Sequence, residues 1–393
     1  MTRSPTSLPA GLPLPDQESQ QHSHLVAAHL HRVIASCTDG FLPFDAWMTH
    51  ALYAPGLGYY AAGNTKFGSD LPQGDFTTAP ELSPLFGQTL AQQIAPVLSD
   101  MASTTVIEFG AGSGALAEAI IPALRDLGIE PDYKILEISA DLQERQKKRL
   151  AKLNAKIEWI NDWPDTIKGC VIANEVLDAM PATLFQWDSE GSLLELGVRT
   201  LSDEHGAHFE WATRTAPAAL HRAVNQRMPP LPGYQSEINL QAEAWMQRLG
   251  HHLQQGLALL IDYGFPQREF YHPQRAEGTL MCHFRHHSHA NPLIYPGIQD
   301  ITTHVDFTAM ADAALAAGLE VRGYTSQARF LMNAGIMDAL TRQGSMNDPR
   351  TLSAVQKLLS EAEMGELFKV LAVSKALDIP LAGFSRGDRR DAL

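Results

Sequence analysis

The chain has 393 residues, 45% hydrophobic and 19% charged, with no apolar run long enough to cross a bilayer, so it reads as one large globular domain with insertions or as two domains. With 30 basic against 44 acidic residues, its formal charge of -14 disfavours a protein that grips a long nucleic-acid backbone and suits a cationic substrate better. Cys37, Cys170 and Cys282 are too widely spaced for a disulfide framework or a zinc ribbon, which points to a reducing compartment, the cytoplasm.

Residues 1–22 are rich in Pro, Ser and Gln and lack an apolar targeting core after Arg3, while Asp16 and Glu18 do not suit a mitochondrial presequence. A disordered tail is expected there. Residues 23–100 predict a helical N-terminal cap and lid. Apolar spacing marks helices over Leu25 to Ile34 and Phe44 to Leu52, a turn-rich stretch runs from Tyr53 to Asp75, and a further helix spans Pro84 to about Leu98.

From residue 101 to 380 the pattern is an alternation of strand and helix. Strands are predicted at Thr104 to Phe109, Tyr133 to Ile138, Lys156 to Ile160 and Cys170 to Ala173, with helices from Gly114 and over Ala140 to Leu153. Such alternation implies an α/β fold with a doubly wound, mostly parallel, Rossmann-like sheet. The next apolar strand, Leu257 to Tyr263, comes only after about 80 residues, so an insertion is placed at about 182–255. It contains a hairpin around Asp188 to Ser192 and a returning helix over Ile238 to Leu253. A second insertion, 265–304, is rich in His, Pro and aromatic residues; the helix Phe307 to Ala317 and strands Leu319 to Tyr324 and Phe368 to Ser374 complete the sheet, and 381–393 reads as a polar tail. Both insertions leave from the carboxyl ends of strands, where ligands bind in open sheets, so they are expected to wall a substrate channel.

The most specific local signal is Val106-Ile107-Glu108-Phe109-Gly110-Ala111-Gly112-Ser113-Gly114-Ala115, an apolar strand with an acid, three alternating glycines and a helix start. Gly110, Gly112 and Gly114 allow the sharp turn and a close approach of ligand to backbone. About 23 residues after Gly114, Glu137 ends the second strand, where a carboxylate can take both hydroxyls of an adenosine ribose. Ala115 keeps a dinucleotide fingerprint open on spacing, and with it a nicotinamide oxidoreductase. Glu108 argues against a pyrophosphate neighbour and for S-adenosylmethionine, which carries an ammonium and a sulfonium and no phosphate. Asp162 ends the third strand, placed to accept from the adenine amino group. Thr78, Pro80 and Glu81 could close over the cofactor, loop packing being their other reading.

The fourth strand ends in Asn174-Glu175-Val176-Leu177-Asp178-Ala179-Met180-Pro181. In a methyl-donor fold this end lies beside the activated methyl. Asn174 is assigned to the cofactor side. The run carries neither the Pro-Pro-aromatic signature of DNA amino-methyltransferases nor the Pro-Cys of base-carbon methyltransferases. Glu175 could hold a guanidinium through paired hydrogen bonds, and Asp178 is the second catalytic candidate, with a helix first-turn acid as its other reading. No metal is required: His283, His286, His287 and His289 match no zinc spacing and have Arg285 among them. They are expected to line the channel, with Asp262, His304 and Asp306 as further lining candidates.

Together, Ala51-Leu52-Tyr53 with Gly58-Tyr59-Tyr60, Gly74 to Glu81, Glu108 to Gly114, Asn174 to Pro181, Leu260 to Gly264 and Ile301 to Phe307 resemble the MidA family over about residues 25–380. These are class I S-adenosylmethionine-dependent methyltransferases related to a mitochondrial complex I assembly factor that methylates a protein arginine. The resemblance implies a cofactor-bound Rossmann-like core, a helical cap and, as acceptor, an arginine-containing client protein, with no nucleic acid or membrane as partner and a homodimer compatible with it. A noncatalytic cofactor-binding assembly factor and a small-molecule methyltransferase are the alternatives.

Overall fold

In the computed structural model, which describes residues 9, 11–62, 78–204, 206–344 and 348–393, the alternating apolar runs form the eight-stranded sheet of one of two units. That unit takes in Thr77–Asp178, Ala242–Pro266 and Val305–Leu393. Its strands are β1 (Thr105–Phe109), β2 (Asp132–Leu136), β3 (Ile157–Ile160), β4 (Ile167–Asn174), β5 (Leu253–Phe265), β6 (Val305–Asp306), β7 (Glu320–Ser326) and β8 (Phe368–Lys375). The order is β7-β8-β5-β4-β1-β2-β3, with β6 beside the end of β5. β8 is antiparallel to both neighbours and the other pairs are parallel, so the mostly parallel doubly wound sheet is as the sequence predicts.

Both faces of this sheet are covered, which is why its strands are near-continuous apolar runs. Val106, Ile172, Leu259 and Ile261 pack with Phe86, Leu90 and Ile94 of α1 (Pro84–Asp100) and Leu116 and Ile120 of α2 (Ala115–Asp126). The alternate residues Ile107, Val171, Ala258 and Leu260 are buried on the other face. There Phe109 meets Trp245 of α4 (Leu240–His252), and α5 (Phe307–Ala316) packs against β5 and β8. Side-chain caps set the helix starts: Ser83 for α1, Ser139 for α3 (Ala140–Leu150) and Asp306 for α5 each accept from a first-turn N–H. Asp306, expected in the channel lining, is therefore used as a helix cap.

The other unit takes in 1–76, Ala179–Gln241 and Gln267–His304. Its helices Gln17–Ser36 and Phe44–Tyr53 bury Val26, Leu30, Trp47 and Met48 with Leu184, Val198 and Phe209. Those last three lie in an antiparallel sheet built around Leu193–Asp203, Thr183–Trp187 and Gly206–Thr215. A three-stranded sheet centres on Met281–Phe284.

Several expected boundaries move. Within the segment 1–22, expected as a tail, Asp16 accepts from the Ser19 N–H at 2.8 Å and starts a helix at Gln17. The cap placed at 23–100 is not one element: its first helices belong with the two insertions, whereas α1 is a layer of the large sheet. Of the insertion 182–255, residues from Ala242 onward belong to the sheet unit. The segment 381–393 is packed rather than free. Phe384 packs against Phe330 with tilted rings, Asp388 accepts from Tyr324 N–H, and Arg389 N–H donates to the Tyr324 carbonyl, so the segment satisfies the exposed edge of β7. The sequence run from Gly74 to Glu81 falls among described residues only from Thr78.

Candidate functional site

The chain builds β1, β2 and β3 outward to one edge and then returns past β1 to β4, so the switch point lies between the carboxyl ends of β1 and β4. The glycine turn begins there. Gly110, Gly112 and Gly114 have φ of +61°, +52° and +85°, a region that L side chains rarely adopt. Among the described residues a Cβ built on Gly112 would find no atom within 4 Å, so the space they leave before this backbone is open to a ligand. A Cβ on Gly110 would lie 3.2 Å from Val176 Cγ2, which puts the segment after β4 against the turn.

Two acids stand beside it. Glu108 is buried and accepts from the Tyr133 hydroxyl at 2.7 Å; burial raises its pKa to about 7 against that hydrogen bond, with Glu137 adding to the rise. Glu137, also buried, accepts from Ser139 N–H at 3.0 Å and from Gln146 Nε2 at 3.1 Å, and desolvation leaves its pKa raised. Ile138, next to it, stays 65% exposed. On the other side of the turn Glu81 pairs with Arg149 at 2.8 Å and accepts from the Ser113 hydroxyl, bringing the short helix Ala79–Leu82 to the glycine residues. Thr78 and Pro80 begin that helix and come with it.

Asp162 follows the end of β3, as the sequence reading has it. Its side chain is 77% exposed and its Oδ1 already accepts from Trp163 N–H at 2.8 Å and Arg248 at 2.6 Å, which together hold its pKa down.

At the end of β4, Glu175 has φ +53° and donates its N–H to the Ile261 carbonyl at 2.9 Å. A left-handed non-glycine residue costs roughly 1–2 kcal/mol, and such strain is concentrated at functional positions. Asn174 Nδ2 donates to Glu175 Oε1 at 3.0 Å, while its buried Oδ1 has no hydrogen-bond partner among the described residues. Asp178 is buried and accepts from the Tyr263 hydroxyl at 2.5 Å. Asp262, read earlier as channel lining, instead accepts from the N–H groups of Leu177 and Asp178 at 3.0 and 3.3 Å, with Tyr263 N–H on its other oxygen. Desolvation, then Asp178 and Glu175, push its pKa well up. It fixes the turn that carries the two predicted catalytic acids.

His304 lies in the other unit, where its N–H donates to Thr279 Oγ1. His283, His286, His287 and His289 form a hairpin of the three-stranded sheet there, and among the described residues no three His, Cys, Asp or Glu side chains group as a metal site. The sequence reading missed Tyr133, Gln146, Arg149 and Tyr263. Tyr263 adjoins a candidate acid, but no local pattern separates Gln146 or Arg149 from the other polar residues of α3.

Glu108, Glu137 and Glu175 put acids at the turn and the β4 end, Arg149 there being paired with Glu81 and Glu118, and together with the open space at Gly112 and the orphaned Asn174 Oδ1 they fit a cationic, phosphate-free adenosine derivative. The comparisons agree. Residues 89–325 match the family model described as "Putative S-adenosyl-L-methionine-dependent methyltransferase". A Burkholderia thailandensis protein crystallised with S-adenosyl-homocysteine is similar to this chain with 44% identity and a TM-score of 0.90, covering 98% of this chain and 100% of that one. The Drosophila melanogaster mitochondrial protein arginine methyltransferase NDUFAF7 homolog is 26% identical over 88% of this chain and 86% of its own length, and the human NDUFAF7 protein is 27% identical over 83% and 78%. The chain therefore belongs to the S-adenosylmethionine-dependent methyltransferases of the MidA-like family.

Proposed function

We propose that this methyltransferase transfers its methyl group to an arginine side chain of a client protein. The observation that carries the reading is the acidic, strained end of β4. Glu175 and Asp178 are held on a turn braced by Asp262 and Tyr263, next to the glycine backbone. Two relatives named as protein arginine methyltransferases, alike over most of the chain, support the same acceptor.

When bound, S-adenosylmethionine supplies an electrophilic methyl on a sulfonium, and S-adenosyl-homocysteine is the leaving group. Glu137 would hold the ribose hydroxyls, and the Gly112 backbone would lie against the ligand. Glu108 and Asn174 Oδ1 would face its amino-acid end, and Thr78, Pro80 and Glu81 would close from the side of the short helix. Glu175 would grip the guanidinium through paired hydrogen bonds and point one nitrogen at the methyl, so most of the rate gain is alignment. As the N–C bond forms and the C–S pair leaves on sulfur, the nitrogen loses one proton. Glu175 takes it, with Asp178 balancing the cation until then, a contribution of roughly 10²- to 10⁴-fold. The compartment is proposed to be a reducing one, the cytoplasm, in which the buried thiols Cys170 and Cys282 stay free.

The test is intact-mass analysis of candidate clients incubated with enzyme and S-adenosylmethionine. A client that gains methyl mass on arginine with the parent chain and not with Glu175→Gln, while that variant still binds S-adenosyl-homocysteine, supports the reading. Full transfer by Glu175→Gln removes Glu175 from it, and methylation of another residue type removes the arginine acceptor. A homodimer, which the sequence allows, is read by light scattering of the same samples.

A further inference from the structure

One side chain of α3 touches both halves of the donor site. Gln146 is fully buried. The Trp159 indole N–H, which can only donate, lies 2.9 Å from its Oε1 and so fixes which way the amide faces. Its Nε2 is thereby turned to two acceptors, the Gly112 carbonyl at 2.9 Å and Glu137 Oε2 at 3.1 Å. Every polar atom of the amide is used, and the partners are the glycine backbone and the acid that ends β2. Glu137 is then held at both oxygens, by Ser139 N–H on Oε1 and by Gln146 on Oε2. The Ile138 N–H also acts on this carboxylate, so three donors fix its rotamer and, of its four acceptor sites, one is left for a ligand hydroxyl.

We propose that Gln146, aimed by Trp159, is a positioning residue for ribose recognition, holding Glu137 in register with the Gly112 backbone so that the donor's vicinal hydroxyls are selected. The inference rests on the reading of Glu137 as the ribose acid. A site built around hydroxyls discriminates against a ligand that lacks one only while its acceptors are held in place, because a carboxylate free to rotate finds other partners. A Gln146 that only packs α3 would, when replaced, lower stability and weaken all ligands alike.

The experiment is calorimetric titration of S-adenosyl-homocysteine and its 2′-deoxyribose analogue into four proteins: the parent chain, Gln146→Leu, Trp159→Phe and Glu137→Gln. The parent is expected to prefer the ribose form on the order of 10- to 100-fold, the worth of one hydrogen bond to a buried charged group. Gln146→Leu should bring the ratio below about threefold, and Trp159→Phe, which removes only the orienting donor, should bring it part of the way. Should Gln146→Leu fail to fold, Trp159→Phe decides the matter alone. Parent-like ratios in the folded variants overturn the role of Gln146. If Glu137→Gln also keeps the parent ratio, the ribose reading of Glu137 is itself wrong; if Glu137→Gln alone abolishes it, that reading stands and only the Gln146 inference falls.

Discussion

Gly112→Ala puts a methyl group where no atom of the described residues lies within 4 Å, so they meet it without a clash. Its cost to the fold is conformational. An alanine at φ near +52° pays about 1–2 kcal/mol, offset by ~0.4–1 kcal/mol from the less flexible unfolded chain, leaving about 1 kcal/mol and a Tm lower by ~1–2 °C. The ligand loses the space instead. Intrusion of one methyl into a packed contact costs ~1–3 kcal/mol, so S-adenosyl-homocysteine should bind ~5- to 150-fold more weakly. Gly87→Ala is the matched control, since its Cβ would lie 2.6 Å from the Ala119 Cβ and 3.3 Å from the Leu116 carbonyl, between α1 and α2. It should lose ~1–3 kcal/mol of stability and keep its affinity within about twofold. Urea denaturation gives the first quantity and calorimetric titration the second. A Gly112→Ala chain that binds like the parent would refute the argument that this backbone floors the ligand site.

Glu108 gives a pH prediction. Its folded-state pKa is about 7 against an ordinary 4.5, so between those values the folded chain binds more protons than the unfolded one. The stabilisation from its proton is complete below pH 4.5 and lost as pH rises through 7, about 3 kcal/mol in total. Glu108→Gln should therefore gain on the parent by ~2–3 kcal/mol between pH 5 and pH 8 in urea denaturation. Glu237, also raised to about 7, is present in both proteins and cancels; parallel pH profiles would count against the assignment. Asp262 separates shape from charge. Asp262→Asn keeps one oxygen for the Leu177 and Asp178 N–H groups but turns its NH2 toward the Tyr263 N–H, and should cost about 1–2 kcal/mol. Asp262→Ala leaves all three N–H donors unpaired and should cost ~3–5 kcal/mol by thermal or chemical unfolding; equal losses in the two variants would show that the turn does not depend on the retained oxygen.

The sequence by itself determined what depends on near neighbours. A glycine is needed wherever the turn after β1 takes positive φ. Apolar runs between periodic helices require a sheet buried on both faces, and Glu137 is placed at the end of β2 by where the strand pattern stops. Thus the layout from β1 to β4, the glycine turn, Glu108, Glu137 and the acidic run at 174–178 were legible as residues in a row. Tertiary structure decided what depends on segments far apart meeting. The first helices joined the two insertions in a separate unit because each buries its apolar face only against the others. Residues 381–393 became ordered because β7 left an edge to satisfy. Asp262 turned from a lining candidate into the brace of the 177–178 turn, Asp162 was drawn into a pair with Arg248, and Gln146 became the link between Gly112 and Glu137. A hydrogen bond is directional and short, so which of many polar side chains makes it is fixed only when the packed core has set every backbone position around it.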